Sequence, residues 1–121
     1  MRPLFVYGTL KRGFDNQWSR RLWEDGRFLG TAQLPGRLYL VSHYPGLRPP
    51  QNENEMVHGE VCLPADAANL YRELDGYEGP GYRRVESRAR LDNGEELDVW
   101  VYEYAAPVSE ERLIPSGRFG S

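Results

Sequence analysis

Residues 82–104, YRRVESRARLDNGEELDVWVYEY, decide how the fold is read. From Tyr82 to Leu91 the chain alternates, with Val85, Ser87, Ala89 and Leu91 on one side and Arg84, Glu86, Arg88 and Arg90 on the other. That two-residue period belongs to a strand with one buried face. Asp92-Asn93-Gly94 follows, a hairpin signal because Asn and Gly tolerate the positive φ that tight turns demand. The returning run, Leu97 to Tyr104, sets Val99 and Val101 on one face and Trp100, Tyr102 and Tyr104 on the other. Both faces are apolar or aromatic, so this strand is predicted to be covered on both sides.

The rest of the chain extends the same pattern. Val57 to Leu63 alternates as a strand, and Leu4-Phe5-Val6-Tyr7 is a short apolar run of strand formers that stops at Gly8-Thr9. Gly26, Gly30 and Gly36 punctuate two strand-like pieces, Phe28 to Leu34 and Arg37 to Ser42. Trp18 to Trp23 reads as a short helix or turn. Pro64 to Tyr77 is the clearest helix, with Asp66 near its start and Ala67, Leu70, Leu74 and Tyr77 marking one face; Gly79-Pro80-Gly81 ends it. Residues 43–56, HYPGLRPPQNENEM, read as a long loop bordering a site, and the tail from Pro107 as irregular. Strands dominate and one clear helix interrupts them, which predicts an α+β fold: a mostly antiparallel, strongly curved sheet or small barrel with few helices.

The 121 residues match one domain spanning 1–121, long enough to bury roughly two-thirds of its unfolded surface. Net charge is −3, and 14 of the 15 basic residues are Arg scattered among acids, so the basic footprint of a nucleic-acid binder is missing. A lone cysteine, Cys62, forbids an internal disulfide and fits a reducing compartment. No apolar run approaches a membrane span, and Met1-Arg2-Pro3 leads straight into a strand rather than a signal peptide. The expectation is a cytoplasmic domain with no membrane or nucleic-acid partner.

Three patterns invite chemistry. Gly8 to Gly13 spells G-x-x-x-x-G after a strand, but Phe14-Asp15 stands where a phosphate loop needs Lys-Ser/Thr. What remains is either a plain turn or a glycine whose neighbouring amides face a small anion. His58, Glu60 and Cys62 share a strand face, yet His58 and Cys62 are about 13 Å apart along it, too far for a nucleophile pair. Metal binding there lacks further ligands. Glu78 sits at the C-terminal end of the helix, where its charge opposes the helix dipole. Aromatics on both sides would shield it and raise its carboxyl pKa, the profile of a general acid/base, although helix-end acids are also often simply solvated. Asp75 reads as the exposed helix partner of Arg72 or a capping group.

Several motifs in order carry a resemblance: Phe5-Val6-Tyr7-Gly8-Thr9-Leu10 with Gly13 and Asn16, His43-Tyr44-Pro45-Gly46, and Val57-His58-Gly59-Glu60-Val61. Leu74-Asp75-Gly76-Tyr77-Glu78-Gly79 with Tyr82-Arg83-Arg84, then Trp100-Val101-Tyr102 and Ile114-Pro115-Ser116-Gly117, complete it. The chain resembles the gamma-glutamylcyclotransferase-like proteins, particularly small bacterial members. The resemblance implies a small mixed, mostly antiparallel β-barrel with a few peripheral helices. It implies that Tyr7, Gly8, Thr9 and Leu10 grip the α-carboxylate and amino end of a γ-glutamyl substrate, with Tyr82 among the substrate contacts, and that Glu78 is the single catalytic acid/base. Two departures stand out: Gln17 where a histidine often follows the asparagine, and Arg118-Phe119 in place of an acidic-aromatic pair.

The activity so implied is closure of the substrate's own α-amine onto its γ-carbonyl, giving 5-oxoproline and a free amine, without metal or cofactor. A carboxyl near 4.3 facing an α-amine near 7.8 leaves proton transfer about 4.8 kcal/mol uphill, so Glu78 is expected to be shielded. The alternative is a non-catalytic small-molecule binding or regulatory domain using the same cavity.

Overall fold

The computed structural model describes residues 2–77 and 81–120 together with the helical backbone at 78. Met1, the Glu78 side chain, Gly79, Pro80 and Ser121 lie outside the described residues. In chain order the elements are β1 (Leu4–Val6), α1 (Gln17–Glu24), β2 (Arg27–Pro35), β3 (Arg37–Leu40), β4 (Pro45–Arg48), β5 (Met56–Leu63), α2 (Ala67–Glu78), β6 (Tyr82–Leu91) and β7 (Glu96–Tyr104).

Among the described residues the strands form one sheet in the order β1-β5-β2-β6-β7-β4-β3. Antiparallel pairs join β1 to β5, β5 to β2, β2 to β6 and β6 to β7. The sheet closes into a five-stranded mixed barrel where β1 meets β7 in parallel, Leu4 opposite Trp100, with the Trp100 amide donating to the Pro3 carbonyl at 2.8 Å. Closure leaves these strands no free edge. The β3–β4 ribbon hangs from β7 through a parallel pairing of Leu47 with Glu103. The expected α+β barrel with peripheral helices is the fold observed.

Alternation along each strand sorts side chains into two cores. Phe5, Tyr7, Ala32, Leu34, Val57, Val61, Ala89, Leu91, Val99 and Val101 fill the barrel, while Leu4, Val6, Cys62 and Tyr102 point outward beneath Leu22 of α1 and Ala67, Leu70, Tyr71 and Leu74 of α2. The continuous apolar run at 4–7 therefore has both faces covered, as does β7. The hairpin at 92–94 forms with Gly94 at φ +92° and its amide donating to the Leu91 carbonyl.

Two local expectations need correction. Residues 43–56 are not one loop, because Pro45–Arg48 pairs with β3 and β7; the irregular parts are residues 43–44 and 49–55. Pro45 and Gly46 hid the strand, and only tertiary pairing makes it one. Tyr77 does not share the buried helix face: it is 59% exposed, and Tyr71 takes the place beside Leu74.

Candidate functional site

β1 delivers the chain to Tyr7 and Gly8, and α1 with its cap Asn16 holds three of the residues that follow, Thr9 to Lys11, by their carbonyls. The Gly8 carbonyl accepts from the Lys11 amide at 3.1 Å. The Thr9 carbonyl accepts from Asn16 Nδ2 at 2.8 Å, the Leu10 carbonyl from Trp23 Nε1 at 2.8 Å and the Lys11 carbonyl from Ser19 Oγ at 3.0 Å. Asn16 does double work, since its Oδ1 also caps α1 by accepting from the Ser19 amide at 2.8 Å. From the other side, Glu60 of β5 accepts from the Arg12 amide at 2.8 Å. With the carbonyls so held, the amides of Gly8, Thr9 and Leu10 have no protein acceptor among the described residues. Such an amide-edged turn is a ready concavity for an anion or a developing oxyanion.

This turn borders a cavity of about 300 Å³. Phe5 to Leu10 form one wall; His43, Tyr44, Pro45, Tyr77, Tyr82 and Tyr102 form the rest. Among these lining residues none carries a carboxylate, guanidinium or ammonium group. Tyr82 is pinned by donating to the Pro45 carbonyl at 2.8 Å, and its ring lies between Tyr44 (centroids 6.2 Å apart) and Tyr104 (5.2 Å). Gly8 is required where it stands: a Cβ there would come within 2.8 Å of Pro45 Cγ.

A hydrogen-bonded chain links the cavity wall to α2. The buried Tyr7 hydroxyl donates to the Tyr102 carbonyl at 2.6 Å and accepts from the Leu47 amide at 3.1 Å. The Tyr102 hydroxyl donates to Asp75 Oδ1 at 2.6 Å, and Arg84 grips both Asp75 oxygens at 3.0 and 3.1 Å. The Arg84 guanidinium in turn lies over the rings of Trp100 (4.4 Å) and Tyr71 (4.9 Å). Burial alone would raise the Asp75 carboxyl, but the bonds from Arg84 and Tyr102 outweigh it and hold the group below its ordinary range. Asp75 thus clasps α2 onto β6 and β7, three residues before Glu78. The expected pairing with Arg72 is not made; Arg72 bonds Asn69 instead. Sequence spacing favoured a helical neighbour, whereas the actual partners arrive from strands nine and 27 positions away.

Of the residues named from sequence, Tyr7, Gly8, Thr9, Leu10 and Tyr82 come together around this cavity. Glu78 ends α2 directly after the cavity-lining Tyr77, and its side chain lies outside the described residues. His43, Tyr44 and Pro45 join them from the segment expected to border the site. The 58–62 face does not. Cys62 is buried under α1, and burial first and Glu60 second push its thiol up to about 12, which removes any nucleophilic character at neutral pH. Burial also lowers the His58 imidazole. The divergent tail contributes no lining residue among those described. It braces the turn from behind instead: Lys11 Nζ donates to the Phe119 carbonyl at 2.6 Å, and the Phe119 ring stacks on Phe14 at 6.0 Å. Gln17 is exposed on α1. What sequence reasoning missed is the Tyr102–Asp75–Arg84 clasp, whose signal was an arginine facing a strand flanked by aromatics.

Comparison with known proteins agrees with this geometry. Residues 4–121 match the family described as Gamma-glutamyl cyclotransferase, AIG2-like. The "Gamma-glutamylcyclotransferase family protein YtfP" of Escherichia coli (strain K12) is 33% identical over 115 residues, 94% of this chain and 92% of that protein. The "Gamma-L-glutamyl-butirosin B gamma-glutamyl cyclotransferase" of Niallia circulans is 32% identical over 111 residues, 86% of this chain and 67% of that one. The crystal structure of an AIG2-like protein from Mus musculus superposes with a TM-score of 0.76 at 24% identity, covering 98% of this chain and 88% of the other. A turn held by its carbonyls, a closed barrel beneath it and a family match running from β1 to the tail make one statement: the chain belongs to the gamma-glutamyl cyclotransferase, AIG2-like family.

Proposed function

We propose that the chain cyclises γ-glutamyl amides, releasing 5-oxoproline and a free amine, with Glu78 as the acid/base. The observation that carries this is the meeting of two segments at one cavity, the amide-edged turn after β1 and the last turn of α2. A hollow of about 300 Å³ matches the lower end of small-ligand sites and suits a γ-glutamyl group. The family match and the name of the Niallia circulans relative, which refers to a γ-glutamyl group on a larger amine, support the same class of substrate.

In the proposed reaction the substrate folds so that its α-nitrogen faces its own γ-carbon. Because nucleophile and electrophile belong to one molecule, holding that conformer supplies much of the rate. The Glu78 carboxylate takes a proton from the α-ammonium, the new N–C bond closes a five-membered ring, and the γ-oxygen gains charge. Amides of Gly8, Thr9 and Leu10 are suited to meet either that oxygen or the α-carboxylate. The protonated Glu78 then gives its proton to the departing nitrogen as the old C–N bond breaks. The regenerated carboxylate takes the second proton from the ring nitrogen and passes it to the released amine, which leaves as its ammonium. Proton count and charge balance with one carboxyl group.

Purified protein offered a panel of γ-glutamyl amides should yield 5-oxoproline, detected by mass. Glu78→Gln should lower kcat at least about a hundredfold while retaining the wild-type circular dichroism and unfolding midpoint. Turnover within about tenfold of wild type in that variant would refute the assignment. Retention of the amides without any cyclised product would favour a binding domain instead.

A further inference from the structure

The exposed Tyr77 needs a reason. It is a large aromatic left 59% open at a cavity mouth in the residue before Glu78. Its ring does not float: Trp18 of α1 packs against it with centroids 4.9 Å apart at 38°, so the two helices build one aromatic wall. Tyr44 and Tyr82 line the same cavity, and no lining residue among those described carries a carboxylate, guanidinium or ammonium group. An uncharged wall of rings selects by contact area and ring stacking rather than by ion pairing. The Trp18 ring is already engaged by a cation, with the Arg21 guanidinium 5.6 Å from its centre. Arg21 is itself paired with Glu73, which leaves it a poor receptor for an anion.

We infer that Tyr77, backed by Trp18, forms the subsite for the leaving amine, and that this amine carries an uncharged, planar or apolar body. The inference rests on the cyclotransferase reading. A body on the leaving nitrogen must extend away from the γ-glutamyl end held at the Gly8 turn, and Tyr77 adjoins the residue proposed to protonate that nitrogen.

The test compares kcat/KM for γ-glutamylbenzylamide, γ-glutamylmethylamide and the cationic γ-glutamyl-(2-aminoethyl)amide, in wild type, Tyr77→Ala and Tyr77→Phe. Wild type should favour the benzylamide over both others by about tenfold, the worth of one good aromatic contact with its buried area. Tyr77→Ala should collapse that ratio and Tyr77→Phe should keep it. Turnover of the methylamide with a wild-type ratio near one, a preference for the cationic amide, or a ratio unchanged in Tyr77→Ala overturns the inference alone. Absence of 5-oxoproline from every amide overturns the cyclotransferase reading and this subsite with it.

Discussion

Two hollows of nearly equal size, each about 300 Å³, open on this molecule, and they differ in what their polar groups are doing. The second lies among Arg37, Tyr39, Arg48, Pro49, Pro50, Gln51, Pro107, Val108 and Glu110. There Arg37 pairs with Glu55 and with Glu110 at 2.9 Å, Tyr39 donates to Glu110 at 2.8 Å, and Arg48 donates to the Tyr104 carbonyl at 3.0 Å. Donors and acceptors of that hollow answer one another. Around the first hollow the carbonyls of the β1 turn are tied back to Lys11 and α1, while the amides of Gly8, Thr9 and Leu10 are left without protein acceptors among the described residues. Volume alone does not make a site; unanswered hydrogen-bonding groups beside an apolar wall do.

Substitutions in the two hollows should therefore separate. The largest effect belongs to Glu78→Gln, expected to lower kcat by about a hundredfold to ten-thousandfold. Next is Gly8→Ala. Its methyl would press on the Pro45 ring, and the displaced turn should cost about tenfold in kcat/KM. Unfolding midpoints measured alongside would show whether the loss lies in the site or in the fold.

Asp75→Asn keeps an acceptor for Tyr102 and removes the charge facing Arg84. Because the Asp75 side chain is 41% exposed, the stability loss at neutral pH should be only a few tenths of a kcal/mol. The folded carboxyl titrates below its unfolded value near 3.9, so its contribution is present above that pH. It fades as pH falls through the folded value, and urea curves of wild type and variant should converge toward acid. A gap that widens in acid would contradict the clasp. Smallest of all, Arg37→Met should lower the unfolding midpoint slightly and leave kcat/KM within about twofold, since the two hollows share no lining residue among those described. A large activity loss there would erase the contrast between the two.

The same contrast explains what was legible beforehand. Tyr7 to Leu10 were found because Gly8 interrupts an apolar run, and the Tyr82–Tyr104 hairpin because alternation and Asn93-Gly94 are short-range signals. β4 was missed because Pro45-Gly46 reads as a turn until β3 and β7 supply hydrogen bonds on either side. Tyr77 was assigned to the buried face because helical spacing cannot tell a core from the rim of a cavity. Asp75 was given a helical neighbour because Arg84 lies beyond Gly79-Pro80-Gly81 in sequence, and nothing local shows that it folds back to meet the helix.

Local states were written in the chain itself: strands with a two-residue period, a helix from the mid-sixties to the late seventies, turns at glycine and asparagine, and no cluster of positive charge. These depend on near neighbours and on each residue's own backbone preferences. Barrel closure of β1 on β7, the side of each strand that faces inward, and the cavity where the Gly8 turn meets Tyr77 were decided by tertiary structure alone. Tyr7 and Tyr102 bond across 95 positions, and a contact of that separation exists only once every intervening element has paired.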